Sequence, residues 1–77
     1  MSIKVRYFAS FKDQLQRADD EISAEGIRCV RDVWHIANPE LALPEHVLTA
    51  VNMEYVDLDA PVKDGDVVAF FPPVTGG

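Results

Sequence analysis

A single cysteine, Cys29, is all the thiol chemistry available to this 77-residue sequence. One thiol closes no intramolecular disulfide and completes neither a cysteine zinc cluster nor an iron–sulfur centre. The fold therefore has to be held by packing, and a reducing, cytoplasmic setting is expected. Basic residues are scarce too: seven Lys and Arg stand against thirteen Asp and Glu, a net charge of −6. Such a surface repels a phosphate backbone, which argues against nucleic acid and for basic protein partners. No apolar run approaches the roughly 18 residues of a membrane span. Met1 to Ala9 lacks the basic start and long apolar stretch of an export signal, so neither insertion nor export is expected. The four glycines form neither a G-x-x-x-x-G-K-[ST] phosphate loop nor a dinucleotide fingerprint, so nucleotide chemistry has to come from another protein. His35 and His46 lack metal-type spacing, and Asp57, Asp59, Asp64 and Asp66 lack the order of a calcium loop. Solvent-facing side chains and no metal site are expected. Cys29, beside an apolar helix, reads as an inert small hydrophobe with no assigned role.

What the chain does have is a soluble composition, with hydrophobic residues at 48% and charged residues at 26%. Residues 1–77 are expected to form one domain, near the size at which a single core leaves only a few kcal/mol of net stability. Ile3, Val5 and Tyr7 alternate with Lys4 and Arg6, the pattern of a half-buried strand. Ser10 and Asp13 have capping-box spacing, and Phe11 and Leu15 supply the stripe of a short helix ending near Arg17. The acidic run Asp19 to Glu21, leading into Ile22 and Ala24, reads as an edge strand. Val30, Val33, Trp34 and Ala37 mark the main helix, closed by Asn38-Pro39. An irregular segment from Leu41 to Glu45 precedes a strand over Val47 to Val51. Asn52 to Glu54 then turns into a short strand at Tyr55 and Val56, and Lys63-Asp64-Gly65-Asp66 turns into the clearest strand, Val67 to Phe71. The order predicts an α+β roll, a mixed sheet of about five strands packed on one main helix.

Pro72 and Pro73 stop the last strand and launch an extended tail, 74–77, ending in Gly76 and Gly77. Two glycines present no side chain to a narrow channel, so such a tail is expected to carry its terminal carboxylate into another protein. A carboxylate acylates poorly until joined to a leaving group such as AMP. A sulfur nucleophile displacing that AMP leaves a thiocarboxylate, a covalent carrier of sulfur.

With the terminal octet Phe70-Phe71-Pro72-Pro73-Val74-Thr75-Gly76-Gly77 in view, the chain resembles the small, sulfur-carrying subunits of molybdopterin synthase, which are ubiquitin-like β-grasp proteins. The resemblance covers essentially the whole chain, including Ile3-Lys4-Val5 with Phe8-Ala9, Ala50-Val51-Asn52, and Asp64 to Ala69. Arg28-Cys29 departs from it, standing where a Ser or Thr helix cap is expected. The resemblance implies a carrier that is no enzyme on its own but the sulfur-donating subunit of a transferase. A ubiquitin-activating-type adenylyltransferase would adenylate Gly77 with ATP and magnesium, and a sulfurtransferase system would convert it to the thiocarboxylate. The tail would then enter the large synthase subunit, within a heterotetramer, and give sulfur to cyclic pyranopterin monophosphate. No cofactor is bound by this chain itself. The resemblance also places Phe70 with Val68 inward, and Ala69 with Phe71 outward on the surface that docks partners, next to Pro72, Pro73, Val74 and Thr75.

Two other readings share the adenylation step. A ubiquitin-like protein modifier would form isopeptide bonds to lysines of target proteins, but such modifiers usually carry basic residues near the diglycine, and none follows Asp66 here. A carrier for thiamin synthesis or tRNA thiolation would share fold and chemistry, but the thiamin carrier normally lacks the Phe-Phe-Pro-Pro run.

Overall fold

The computed structural model describes residues 1–73. Seven elements follow in order: β1 (Ser2–Tyr7), α1 (Ser10–Leu15), β2 (Asp19–Ser23), α2 (Val30–Ala37), β3 (Leu48–Val51), β4 (Glu54–Val56) and β5 (Val67–Phe71). They build a five-stranded sheet in the order β2-β1-β5-β3-β4. The pairing of β1 with β5 is parallel and the other three are antiparallel, so the sheet is mixed. This is the expected roll, a β-grasp arrangement, with the first and last strands side by side at its centre.

Alternation explains the core. Ile3, Val5 and Tyr7 of β1 and Val68 and Phe70 of β5 are buried on the inner face, against Val30, Val33 and Trp34 of α2 and Phe11 of α1. Trp34 is the centre of this packing: its ring lies edge-on to Phe70 at 5.1 Å and to Tyr7 at 6.3 Å, and tilted to Phe11 at 5.8 Å. Its indole N–H, which would be costly to bury unpaired, donates to the Leu41 carbonyl at 3.1 Å. The irregular segment after α2 is therefore fixed by the helix it follows.

The helix starts differ from the sequence expectation. Ser10 does not cap α1; it lies inside the first turn, and the residue before the helix is Ala9, at φ 54° and ψ −130°. The Phe11 amide donates to the Phe8 carbonyl at 3.2 Å, closing a turn in which glycine would be at ease. An alanine there stores on the order of 1–3 kcal/mol of strain. At α2 the missing Ser or Thr is replaced from inside the helix, because the Asp32 carboxylate accepts the Arg28 and Cys29 amides at 3.0 and 3.4 Å. These two amides, led by Arg28, hold the Asp32 pKa below the ordinary value.

A polar network that sequence spacing did not suggest ties β2 to α2. Arg17 donates to Asp20 at 2.6 Å and to the side chain of Asn38. Asn38 in turn donates to the Tyr7 hydroxyl at 3.1 Å, which donates to Asp20 at 2.9 Å. Burial raises the Tyr7 pKa, and the hydrogen bond to Asp20 raises that of Arg17. Asn38, read in the sequence as a helix stop, is buried and links the end of α2 to Tyr7 of β1 and to Arg17 in the loop before β2.

Trp34→Ala is expected to cost about 3–5 kcal/mol, the whole net stability of a domain this small. Far-UV circular dichroism should then show a largely unfolded chain at 25 °C.

Candidate functional site

The helices cover one face of the sheet and leave the other open. Side chains on the open face are those out of phase with the core: Phe8 just beyond β1, Val67, Ala69 and Phe71 on β5, Leu48 and Ala50 on β3, and Tyr55 on β4. Strand register sets them in rows, with Ala50 opposite both Ala69 and Tyr55, and Leu48 opposite Phe71. The two alanines make a low floor. Around it the rings rise: Phe8 stacks on Phe71 at 4.7 Å and 11°, and Tyr55 lies 5.9 Å from Phe71 at 53°. The result is a shallow groove of about 600 Å³ with Arg6 and Met53 at its margins. Tyr55 is 74% exposed and Phe8 40%, so this apolar patch is open to solvent. A continuous apolar surface rimmed by polar residues on a small domain marks a protein-binding face.

Toward the β2 edge the face turns charged. Lys4 stands opposite Glu21 and Arg6 opposite Asp19 across the β1–β2 ladder, pairs that favour this register and confine the apolar stripe.

The face is held firmly from behind. Phe8 donates its amide to the Phe70 carbonyl at 3.2 Å and accepts from Phe11, so the strained Ala9 turn fixes the backbone from which the ring projects. At the other end Asn52 clamps the β3–β4 hairpin to β5. Its side-chain oxygen accepts the Val67 amide at 3.0 Å, and its side-chain nitrogen donates to Asp66 at 3.0 Å. Asp66, expected from the sequence to be solvated, is instead buried and also accepts the Lys63 amide at 3.0 Å. Those hydrogen bonds, the Lys63 amide first and Asn52 second, hold its pKa below the ordinary aspartate value of 3.8. A group depressed in the folded state stabilises above its unfolded pKa and loses that contribution as pH falls through the folded one. Asp66→Asn is accordingly expected to cost about 1–2 kcal/mol near pH 7 and to flatten the decline of stability below pH 3.8, measured by urea unfolding across pH.

Of the residues singled out in the sequence, Ala69 and Phe71 lie on the open face, Phe70 and Val68 in the core, and Pro72 and Pro73 directly after β5 at the end of the apolar stripe. Val74, Thr75, Gly76 and Gly77 lie outside the described residues. Phe8, Leu48, Met53 and Tyr55 were not singled out as site residues. Only their alternation carried a signal, and alternation does not say which neighbours share a face. Among the described residues no group of three or more His, Cys, Asp or Glu is placed to hold a metal ion, and no helix is long and apolar enough to cross a membrane. Cys29 is half-buried at the start of α2, and His35 and His46 are exposed.

Comparison with known proteins gives this arrangement a family. The ThiS family model matches residues 5–77. The molybdopterin synthase sulfur carrier subunit of Escherichia coli is 40% identical, covering 97% of this chain and 99% of its own. Among solved structures, SAMP1 of Haloferax volcanii superposes with a TM-score of 0.79 at 26% identity over 100% of both chains. A complex of subunits 1 and 2 of the molybdopterin-converting factor from Helicobacter pylori matches with a TM-score of 0.67 at 31% identity, again over 100% of both chains. Whole-length sequence identity and a shared fold agree, and the chain belongs to the ThiS family, as a relative of the molybdopterin synthase sulfur carrier subunits.

Proposed function

We propose that this chain carries sulfur as a thiocarboxylate on Gly77 and delivers it within molybdopterin synthase. The observation that carries the reading is the apolar groove around Phe71, which ends where β5 gives way to Pro72 and Pro73: the surface fit for docking and the root of the C-terminal segment are one strand. Residues 1–77 act as a single carrier domain with 74–77 as its delivering tail.

The chemistry needs no catalytic side chain from this chain. The Gly77 carboxylate attacks the α-phosphorus of ATP in a separate adenylyltransferase that holds magnesium, releasing pyrophosphate and forming an acyl adenylate. A persulfide of a sulfurtransferase system adds to the activated carbonyl and AMP leaves; a thiol of that system then attacks the resulting acyl disulfide, forming a disulfide with the donor sulfur and releasing the thiocarboxylate. Docked on the large synthase subunit through Phe71, Ala69 and their neighbours, the tail places that sulfur against cyclic pyranopterin monophosphate. Gly76 and Gly77 keep its end slim, while Pro72, Pro73, Val74 and Thr75 set its direction. The Helicobacter pylori relative is described in complex with a second subunit, which supports a large-subunit partner here.

A protein-modifier reading draws on SAMP1, whose name denotes a small archaeal modifier protein. The backbone likeness is shared by carriers and modifiers alike, so sequence decides: identity is 40% to the sulfur carrier against 26% to SAMP1, and no basic residue follows Asp66.

Intact mass after incubation with the cognate activating enzyme, ATP and a sulfur source is expected to rise by about 16 Da, the exchange of one oxygen for sulfur. A large conjugate in place of that increment would favour the modifier. Deleting Gly77 should abolish the increment and molybdopterin formation while moving Tm by less than about 1 °C; full synthase activity in the truncated chain would defeat the proposal. Phe71→Ala should weaken binding to the large subunit by more than ~1 kcal/mol, read by titration calorimetry, with the fold preserved.

A further inference from the structure

The β3–β4 hairpin turns through two residues, Asn52 at φ 51° and Met53 at φ 73°. A two-residue turn with both centres left-handed is the geometry that asks for Asn-Gly. Asn52 meets the first demand. Met53 does not meet the second, since a long side chain in the left-handed region carries strain that glycine avoids. Nothing inside the domain offsets that strain, because Met53 is 97% exposed and buries almost no surface of its own. Neither is the turn loose: the Asn52 side chain holds the Val67 amide and the Asp66 carboxylate, so the hairpin stands on the first residues of β5.

Met53 thus combines a strained backbone, an unburied apolar side chain and a rigid base, at the margin of the groove that Phe71 and Tyr55 line. An arrangement that costs the free domain twice makes sense where the side chain is buried by another molecule. Methionine suits that role, being unbranched and able to fill an irregular pocket. The next residue, Glu54, is exposed and has no ion-pair partner among the described residues.

We propose that Met53 is a second anchor for the large synthase subunit, entering an apolar pocket whose rim is basic and faces Glu54. This rests on the sheet face being the docking surface, with which Met53 is continuous. It extends that surface beyond the aromatic cluster to the hairpin tip, and a partner holding both ends is fixed against rotation on the face.

Met53→Asn tests it, because asparagine tolerates the left-handed region while removing the apolar side chain. Thermal unfolding of the full chain should rise by about 2–5 °C, and titration calorimetry against the cognate large subunit should show Kd about tenfold weaker. Met53→Leu should bind within about twofold of the natural chain. Met53→Asn binding with unchanged Kd, alongside a clear loss for Phe71→Ala, would overturn the role of Met53 and leave the face standing. Unchanged binding by both variants would overturn the face itself, and Met53 with it.

Discussion

The parallel contact between β1 and β5 is the constraint from which the rest of this small fold follows. It brings the two ends of the described chain together at the centre of the sheet, and its register sets Tyr7 beside Phe70. Because side chains alternate along a strand, the next residue of each then lies on the opposite face, where Phe8 and Phe71 stack. One backbone pairing builds both aromatic clusters: Tyr7, Phe70 and Trp34 within, Phe8, Phe71 and Tyr55 without. A slip of one residue in either strand would turn that strand's core ring to the open face and its outward ring to the core. The core and the open apolar face are therefore specified by the same hydrogen bonds.

Polar pins keep that register from drifting. Asp66 and Asn52 join the turn before β5 to the hairpin after β3, and Arg17, Asp20, Asn38 and Tyr7 join the β2 edge to the end of α2. Each is satisfied at every buried atom, since no buried side-chain polar atom lacks a partner among the described residues. In a domain whose core contributes so little net stability, satisfied pins of this kind specify which packing is adopted as much as how strongly.

How far the sequence foretold this depends on whether the deciding information was local. Val30, Val33 and Trp34 mark α2 because the stripe is a property of the helix alone, and the apolar run 67–71 marks β5 in the same way. The inward Phe70 and outward Phe71 needed only alternation and one family resemblance. The start of α1 was misread because Ser10 and Asp13 have the spacing of a capping box, yet the chain enters through a turn that Phe8 and Phe11 close and Ala9 strains. The Arg17 network was invisible because hydrogen-bonded members of it lie as much as 31 positions apart. Tyr55, Leu48 and Met53 joined the candidate site only through strand order, which puts β3 beside β5 and β4 beside β3 although turns and loops intervene. Gly76 and Gly77 lie outside the described residues, and the apolar face on β3 and β5 was not legible because strand order assembles it.

In the proposed mechanism that face and the C-terminal residues act together. Four residues, 74–77, follow Pro73, and even fully extended they reach at most about 14 Å. On the proposed reading, with sulfur carried on Gly77, the acceptor would stand within that distance of the end of β5 once the domain has docked. Docking geometry is then part of the chemistry, because a rotation of the domain on its partner would swing the chain end away from the reacting atom. A patch built only around Phe71 would leave such rotation free, whereas one extending across β3 to the hairpin resists it. A net charge of −6 would speed encounter with a basic partner at low salt. In the proposed mechanism charge would bring the domain to its partner, the apolar face would fix the angle, and the last four residues would turn that angle into the position of one atom.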